Sequence, residues 1–199
     1  MNRNFDIYLV GVGGQGILTI ADIITLAAAD KGIDVNFFPT KGMAQRGGFV
    51  KAQLRLGREP GSYSPSISPG GGDLIVSMEL SETLKAVRYG KQGADYVILG
   101  LRWQPTAVML GKAPYPDASQ VLGEIRRAGG AVHYLDPGEL PEGMRGNLYT
   151  LGAICAHSKL SSFFSKEDLE RIISDRWKNI AQSNIETFRA GYSAKTRAE

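Results

Sequence analysis

Ile7-Tyr8-Leu9-Val10-Gly11-Val12-Gly13-Gly14-Gln15-Gly16-Ile17 is the stretch that decides how this chain folds. Four apolar, β-prone residues in a row read as a strand buried on both faces. Gly11 to Gly16 then forms a turn. Beyond it, Ile17, Leu18, Ile20, Ala21, Ile23, Ile24, Ala27 and Ala28 recur at helical spacing, and Gly32 stops the helix. A strand, a tight turn and a helix in immediate succession are the opening unit of a parallel α/β sheet.

The turn meets the G-x-G-x-x-G spacing, and its physics is direct. Glycines remove side chains and permit positive φ, so a ligand or another stretch of backbone can come close. The helix that follows offers unpaired N–H groups and a partial positive charge to an anion. A dinucleotide is the tempting ligand. That fingerprint, however, wants an acid about 20 positions on, at the end of the second strand, to hold a ribose hydroxyl. Phe37, Phe38, Pro39 and Thr40 occupy that place here. Three readings stay open at this point: a bound dinucleotide, tight strand-to-helix packing with no ligand, and contact with a phosphate-bearing ligand or a partner subunit.

Strand and helix signals alternate along the rest of the chain. Val35 to Phe38 is a second strand. Phe49 to Leu56 alternates, with Val50, Ala52, Leu54 and Leu56 on one face and Lys51, Gln53 and Arg55 on the other. That pattern predicts a half-exposed antiparallel strand at an edge. Gly57 to Gly72 reads as a long loop. Asp73–Ser77, Tyr96–Gly100 and Ala131–Leu135 read as further strands, and Glu79–Tyr89 and Asp117–Ala128 as helices. The last part is helical, from Leu148 to Lys159 and from Lys166 to Ala190 with room for a break. Ser165 and Asp168 form a capping-box-like start for the second stretch. The expected fold class is α/β: a doubly wound, mostly parallel, Rossmann-like sheet with helices on both faces and a helical C-terminal extension. A length of 199 residues suits one domain, divided into an α/β core (1–146) and a helical part (147–199).

Composition narrows the function classes. Apolar residues make up 43% and charged residues 22%, which suits a packed globular chain and not a disordered or fibrous one. Glycine is the outlier, at 25 residues. The 23 basic and 20 acidic residues leave a net charge of +3, dispersed and without a basic run, so no nucleic-acid partner is expected. No stretch of 18 apolar residues occurs and no signal-peptide core precedes the first strand, so neither a membrane nor export is expected. The single cysteine, Cys155, excludes an internal disulfide. It fits a reducing, cytoplasmic setting. With two histidines, His133 and His157, a metal site built from this chain's own ligands is not expected.

A second glycine segment, Lys41-Gly42-Met43-Ala44-Gln45-Arg46-Gly47-Gly48, follows the second strand. Loops after the first two strands of a doubly wound sheet emerge on one carboxyl edge, so Gln15 and the Gln45-Arg46 pair are expected to lie near each other. A Gly-Gly step after an arginine lets backbone N–H groups and a guanidinium converge on one anion. No P-loop, nucleophile elbow, H-E-x-x-H or C-x-x-C pattern is present. The chain reads as a ligand-cradling or partner-binding subunit without a self-contained active site.

These two segments together resemble the gamma-type domain of 2-oxoacid:ferredoxin oxidoreductases. The Gly-Met-Ala-Gln-Arg-Gly-Gly form is similar to the beta subunits of the indolepyruvate branch. The resemblance continues at Gly72-Asp73 with Glu79 and Glu82, at Gly146-Asn147 with Leu151-Gly152-Ala153, and from Asn184 to Gly191. It implies a small subunit of an enzyme that oxidatively decarboxylates an aryl 2-oxoacid to an acyl-CoA. It also implies a large alpha subunit that carries thiamine diphosphate, magnesium and iron–sulfur clusters, with ferredoxin as electron acceptor. Gly11, Gly13, Gly14, Gln15, Gly16, Gln45, Arg46, Gly47 and Gly48 are the shared motif positions, and the resemblance leaves open whether they meet CoA, substrate or the alpha subunit. One cysteine cannot ligate a cluster. A relative acting on pyruvate, phenylglyoxylate or another 2-oxoacid, and a free-standing nucleotide-binding protein, are the alternatives. The missing acid after the second strand gives the first prediction: fluorescence titration with NADH shows no saturable binding, and a saturable curve would restore the dinucleotide reading.

Overall fold

A computed structural model describes residues 4–41, 48–58, 64–104, 106–112 and 114–197. One six-stranded sheet organises them, in the order β2-β3-β1-β4-β5-β6. The strands are β1 (Phe5–Val12), β2 (Val35–Lys41), β3 (Phe49–Leu56), β4 (Gly72–Ser77), β5 (Gly90–Leu99) and β6 (Ala131–Leu135). β1, β4, β5 and β6 are parallel neighbours, whereas β3 runs antiparallel to both β1 and β2. The expected mostly parallel α/β sheet with C-terminal helices is the observed one.

Helices cover the sheet unequally. On one face lie α1 (Ile17–Asp30) and the C-terminal α5 (Gly146–His157), α6 (Lys166–Arg176) and α7 (Ala181–Tyr192). They bury Ile7, Leu9, Ala52, Leu54, Leu74, Val76, Val97 and Leu99 in one continuous core. On the other face, α2 (Leu80–Ala86) and α4 (Ala118–Arg127) cover Tyr8, Val10, Ile75, Tyr96, Ile98 and Val132. Each large apolar side chain taken fully out of water contributes about 1.5–3 kcal/mol, so both layers matter to stability. A four-residue helix, α3 (Thr106–Met109), lies in the connection from β5 to α4.

Two expectations need correcting. β3 is antiparallel but interior; β2 is the edge strand. Its polar side survives inside the sheet because a loop, and not a helix, covers that face. Gln53 accepts the Ile67 N–H at 2.6 Å. Arg55 donates to the Ser64 carbonyl at 2.7 Å and, with Arg58, brackets the buried carboxylate of Asp6 at 2.7–3.1 Å. The helix expected from Glu79 to Tyr89 ends at Ala86 and gives way to a tighter turn over Val87–Tyr89.

Local signals explain the helix ends. The Asp117–Gln120 and Ser165–Asp168 pairs each form a complete capping box. A break over Lys178–Ile180 separates α6 from α7. Beyond α7, Arg197 pairs with Tyr134 across the free side of β6 and its guanidinium meets Asp136 at 2.8 Å.

The crossing of α5 and α7 is closer than side chains allow. A Cβ at Gly152 would collide with the Phe188 carbonyl, and one at Gly191 with the Tyr149 carbonyl. Both obstacles are backbone and cannot rotate away. Gly191→Ala must therefore push α7 off the core, and the expected loss is about 3 kcal/mol or more, at the upper end of overpacking costs. Thermal denaturation checks this: a drop of roughly 6–12 °C is expected for a chain of this size, and an unchanged midpoint would mean that the helices can separate at no cost.

Candidate functional site

The first glycine turn spans Gly13 to Gly16 between β1 and α1. Gly14 and Gly16 adopt left-handed backbone, at φ +93° and +84°. Gly16 is also the N-cap of α1, and the Asn147 amide fills the space a Cβ would need there. The first turn of α1 carries no side-chain cap and no acid, so its partial positive charge is not neutralised locally.

The two glycine segments meet. The Gly13 N–H donates to the Gly48 carbonyl at 2.9 Å, one step beyond the Val12–Phe49 pair of β1 and β3. Gly48 therefore stands on the same carboxyl rim as the first turn. Gln45, Arg46 and Gly47 lie outside the described residues.

Gln15 faces inward and not out over the rim. Its Oε1 accepts the Val12 N–H at 2.8 Å and its Nε2 donates to the Met78 carbonyl at 3.0 Å. One amide thus fastens the end of β1 to the end of β4. The same oxygen explains Gly11, where a Cβ would stand 2.7 Å from it and 2.7 Å from Ile17. Gly11 and Gln15 shape the turn, while Gly14, the exposed glycine of the four-residue bend, forms its tip.

Reading residues alone missed how Glu79 is used. Its carboxylate is fully buried. Oε2 caps α2 by accepting the Glu82 N–H at 2.7 Å and takes the Ser81 hydroxyl at 2.6 Å. Oε1 accepts the Trp103 N–H at 3.2 Å and the Tyr115 hydroxyl. Burial, reinforced by that carboxylate, pushes the Tyr115 phenol well above its usual range. A glutamate at an N-cap, where shorter acceptors are usual, was the available signal. One turn on, Glu82 is buried, at 6% exposure; Lys85 meets its Oε1 at 2.8 Å, and Oε2 has no hydrogen-bond partner among the described residues.

The remaining candidates are structural. Cys155 is buried, and desolvation pushes its thiol up to about 11, which leaves it protonated at neutral pH. His133 and His157 stack at 5.8 Å, and His157 Nε2 lies 3.0 Å from the Ala194 carbonyl. No group of three His, Cys, Asp or Glu side chains able to hold a metal occurs among the described residues. One buried thiol does not fit an iron–sulfur cluster.

A family model described as pyruvate ferredoxin/flavodoxin oxidoreductase matches residues 6–194. The chain belongs to that family. Among curated relatives it is 30% identical over 193 residues to the indolepyruvate oxidoreductase subunit IorB of Archaeoglobus fulgidus, covering 94% of each chain. It is 28% identical to the protein of the same name from Methanothermobacter thermautotrophicus, covering 96% of this chain and 97% of that one. Among solved structures, the pyruvate oxidoreductase subunit PORC of Thermotoga maritima superposes with a TM-score of 0.70 at 19% identity, covering 96% of each chain. A 2-oxoglutarate:ferredoxin oxidoreductase from Magnetococcus marinus, solved with 2-oxoglutarate, coenzyme A and succinyl-CoA bound, gives 0.67 at 21% identity. It covers 96% of this chain and 31% of that one. These two likenesses show that the fold is shared.

In this member of the pyruvate ferredoxin/flavodoxin oxidoreductase family, the Gln15 strut gives a direct test. Gln15→Leu leaves the Val12 N–H and the Met78 carbonyl without their partner, and stranded groups of this kind cost about 1–3 kcal/mol each. Urea denaturation is expected to show a loss of about 2 kcal/mol, the turn being only part-buried; a loss below about 0.5 kcal/mol would mean that water replaces the amide without penalty.

Proposed function

We propose that this chain is the small subunit of an indolepyruvate (arylpyruvate):ferredoxin oxidoreductase, working in the cytoplasm with a large alpha subunit. The observation that carries the reading is 30% identity to an indolepyruvate oxidoreductase subunit along 94% of both chains. The meeting of the two glycine segments at Gly13 and Gly48 supports it. The overall reaction joins an aryl 2-oxoacid anion, CoA and two oxidised ferredoxins. It yields aryl-acyl-CoA, carbon dioxide, two reduced ferredoxins and one proton. The carbon–carbon bond to the carboxylate breaks, the acyl carbon is oxidised by two electrons, and the thiol proton is released.

The alpha subunit supplies thiamine diphosphate, magnesium and the iron–sulfur clusters; this chain's own residues do not fit a cluster. Its contribution is a rim. Gly13, Gly14 and Gly16, with Gln45, Arg46, Gly47 and Gly48, present backbone amides and a guanidinium to an anion of CoA or substrate or to the alpha subunit. Gly11 and Gln15 hold that rim in shape. The uncapped start of α1 adds positive potential at the same place.

Mixing the purified chain with the alpha subunit of the same source is expected to restore CoA- and indolepyruvate-dependent dye reduction that neither shows alone. In the same assay, Arg46→Ala is expected to lower kcat/KM roughly 10- to 150-fold, the value of one charge-assisted contact. An alpha subunit fully active by itself would end the proposal, and unchanged kinetics in the variant would reduce the rim to a scaffold.

A further inference from the structure

The connection from β5 to α4 is tied at its base and apolar at its tip. Trp103 near its start and Tyr115 near its end both bond to Oε1 of the buried Glu79. Arg102 lies 5.8 Å from the Tyr115 ring at the same base. A segment whose ends are pinned together in this way is an Ω-type loop, a form often put to use. The loop carries the three most exposed large apolar side chains among the described residues: Trp103, whose backbone makes the first tie, at 54%, and between the ties Met109 at 71% and Leu110 at 62%. Exposing them costs hydrophobic free energy that a free-standing protein has no reason to lose. Spending a fully buried carboxylate to hold the loop's base says that its position matters.

The charge around the loop selects the kind of partner. Arg102 and Lys112 flank the apolar tip, and the sequence from Leu101 to Pro116 contains no acid. Where the loop ends, Pro116 opens onto a groove of about 690 Å³ between α2 and α4 whose walls include Leu84, Arg88, Glu124 and Arg127, the last two paired with each other at 2.6 Å. A symmetric pairing of two copies through the loop would set Arg102 and Lys112 against the same cations around a shared apolar patch, which is unfavourable. An apolar pocket with an acidic rim is the complementary surface.

We infer that the loop from Trp103 to Tyr115, clasped at its base by Glu79, is the prong by which this chain seats in the large alpha subunit. The inference rests on the small-subunit reading above. It places Met109 and Leu110 in a desolvated pocket of the alpha subunit, with Trp103 beside them and Arg102 and Lys112 facing carboxylates at its rim. The prong leaves the carboxyl side of the sheet, as the glycine segments do, so seating it brings that rim toward the companion.

The test uses the full chain and the purified alpha subunit. The double variant Met109→Asp/Leu110→Asp is expected to bind the alpha subunit at least tenfold more weakly by calorimetry, with its own melting temperature unchanged because both side chains are exposed. In a Trp177→Phe background, Trp103 is the sole tryptophan. Its emission is expected to shift to the blue and to lose iodide quenching when the alpha subunit is added. Equal binding by the double variant, or a Trp103 that stays quenchable in the complex, overturns the prong while leaving the small-subunit reading intact. Failure of the unmodified chain to bind the alpha subunit at all overturns both. A free chain that is a dimer in solution and becomes monomeric in the double variant overturns the chosen partner in favour of a second copy.

Discussion

Four residues separate β1 from α1, and three of them are glycine. Within that distance the chain must reverse from strand to helix, let β3 arrive alongside and leave its last amides reachable. At Gly11 and Gly16, on either side of the bend, a side chain has no room. The space over Gly11 belongs to Gln15 and Ile17, and the space over Gly16 belongs to Asn147 at the start of α5. The turn is therefore where the N-terminal strand, the adjoining antiparallel strand and the C-terminal helices all touch. Everything proposed for the rim depends on that crowding, because it fixes backbone amides that a looser loop would let wander.

The same constraint makes the C-terminal helices part of the core and not an appendage. α5 places Asn147 against the turn at one end and crosses α7 through Gly152 and Gly191 further along. α6 joins through ion pairs from Arg171 to Asp30 and from Arg176 to Asp22, both on α1. Such surface pairs contribute little individually. The buried Leu169, Ile172, Ile173 and Phe188 do more to hold the layer on the sheet.

Much of this was legible in the residues because local chemistry and tertiary role agree. The apolar run Ile7–Val10, the helical spacing after Gly16 and the Ser165–Asp168 capping box each name one structure. The alternation in Phe49–Leu56 correctly gave an antiparallel strand with one apolar and one polar side, but the polar side is covered by a loop and not half-exposed, Gln53 being buried there. It could not give the strand's place in the sheet, since periodicity reports what covers each face and not which strands lie to left and right. Gln15 was placed at the rim, but the direction of its amide depended on a carbonyl at Met78, far away in sequence. Glu79 was noticed as an acid at a helix start; its hold on Trp103 and Tyr115 joins residues that only the folded sheet brings together.

The sheet's two flanks carry a last consequence. On one side, the pairing of Arg197 with Tyr134 occupies part of β6. On the other, the outermost strand β2 contains Pro39, which has no N–H to offer. Neither flank is a free template for continuing the ladder into a neighbouring molecule. Joining a neighbour by strand addition is therefore disfavoured at both flanks.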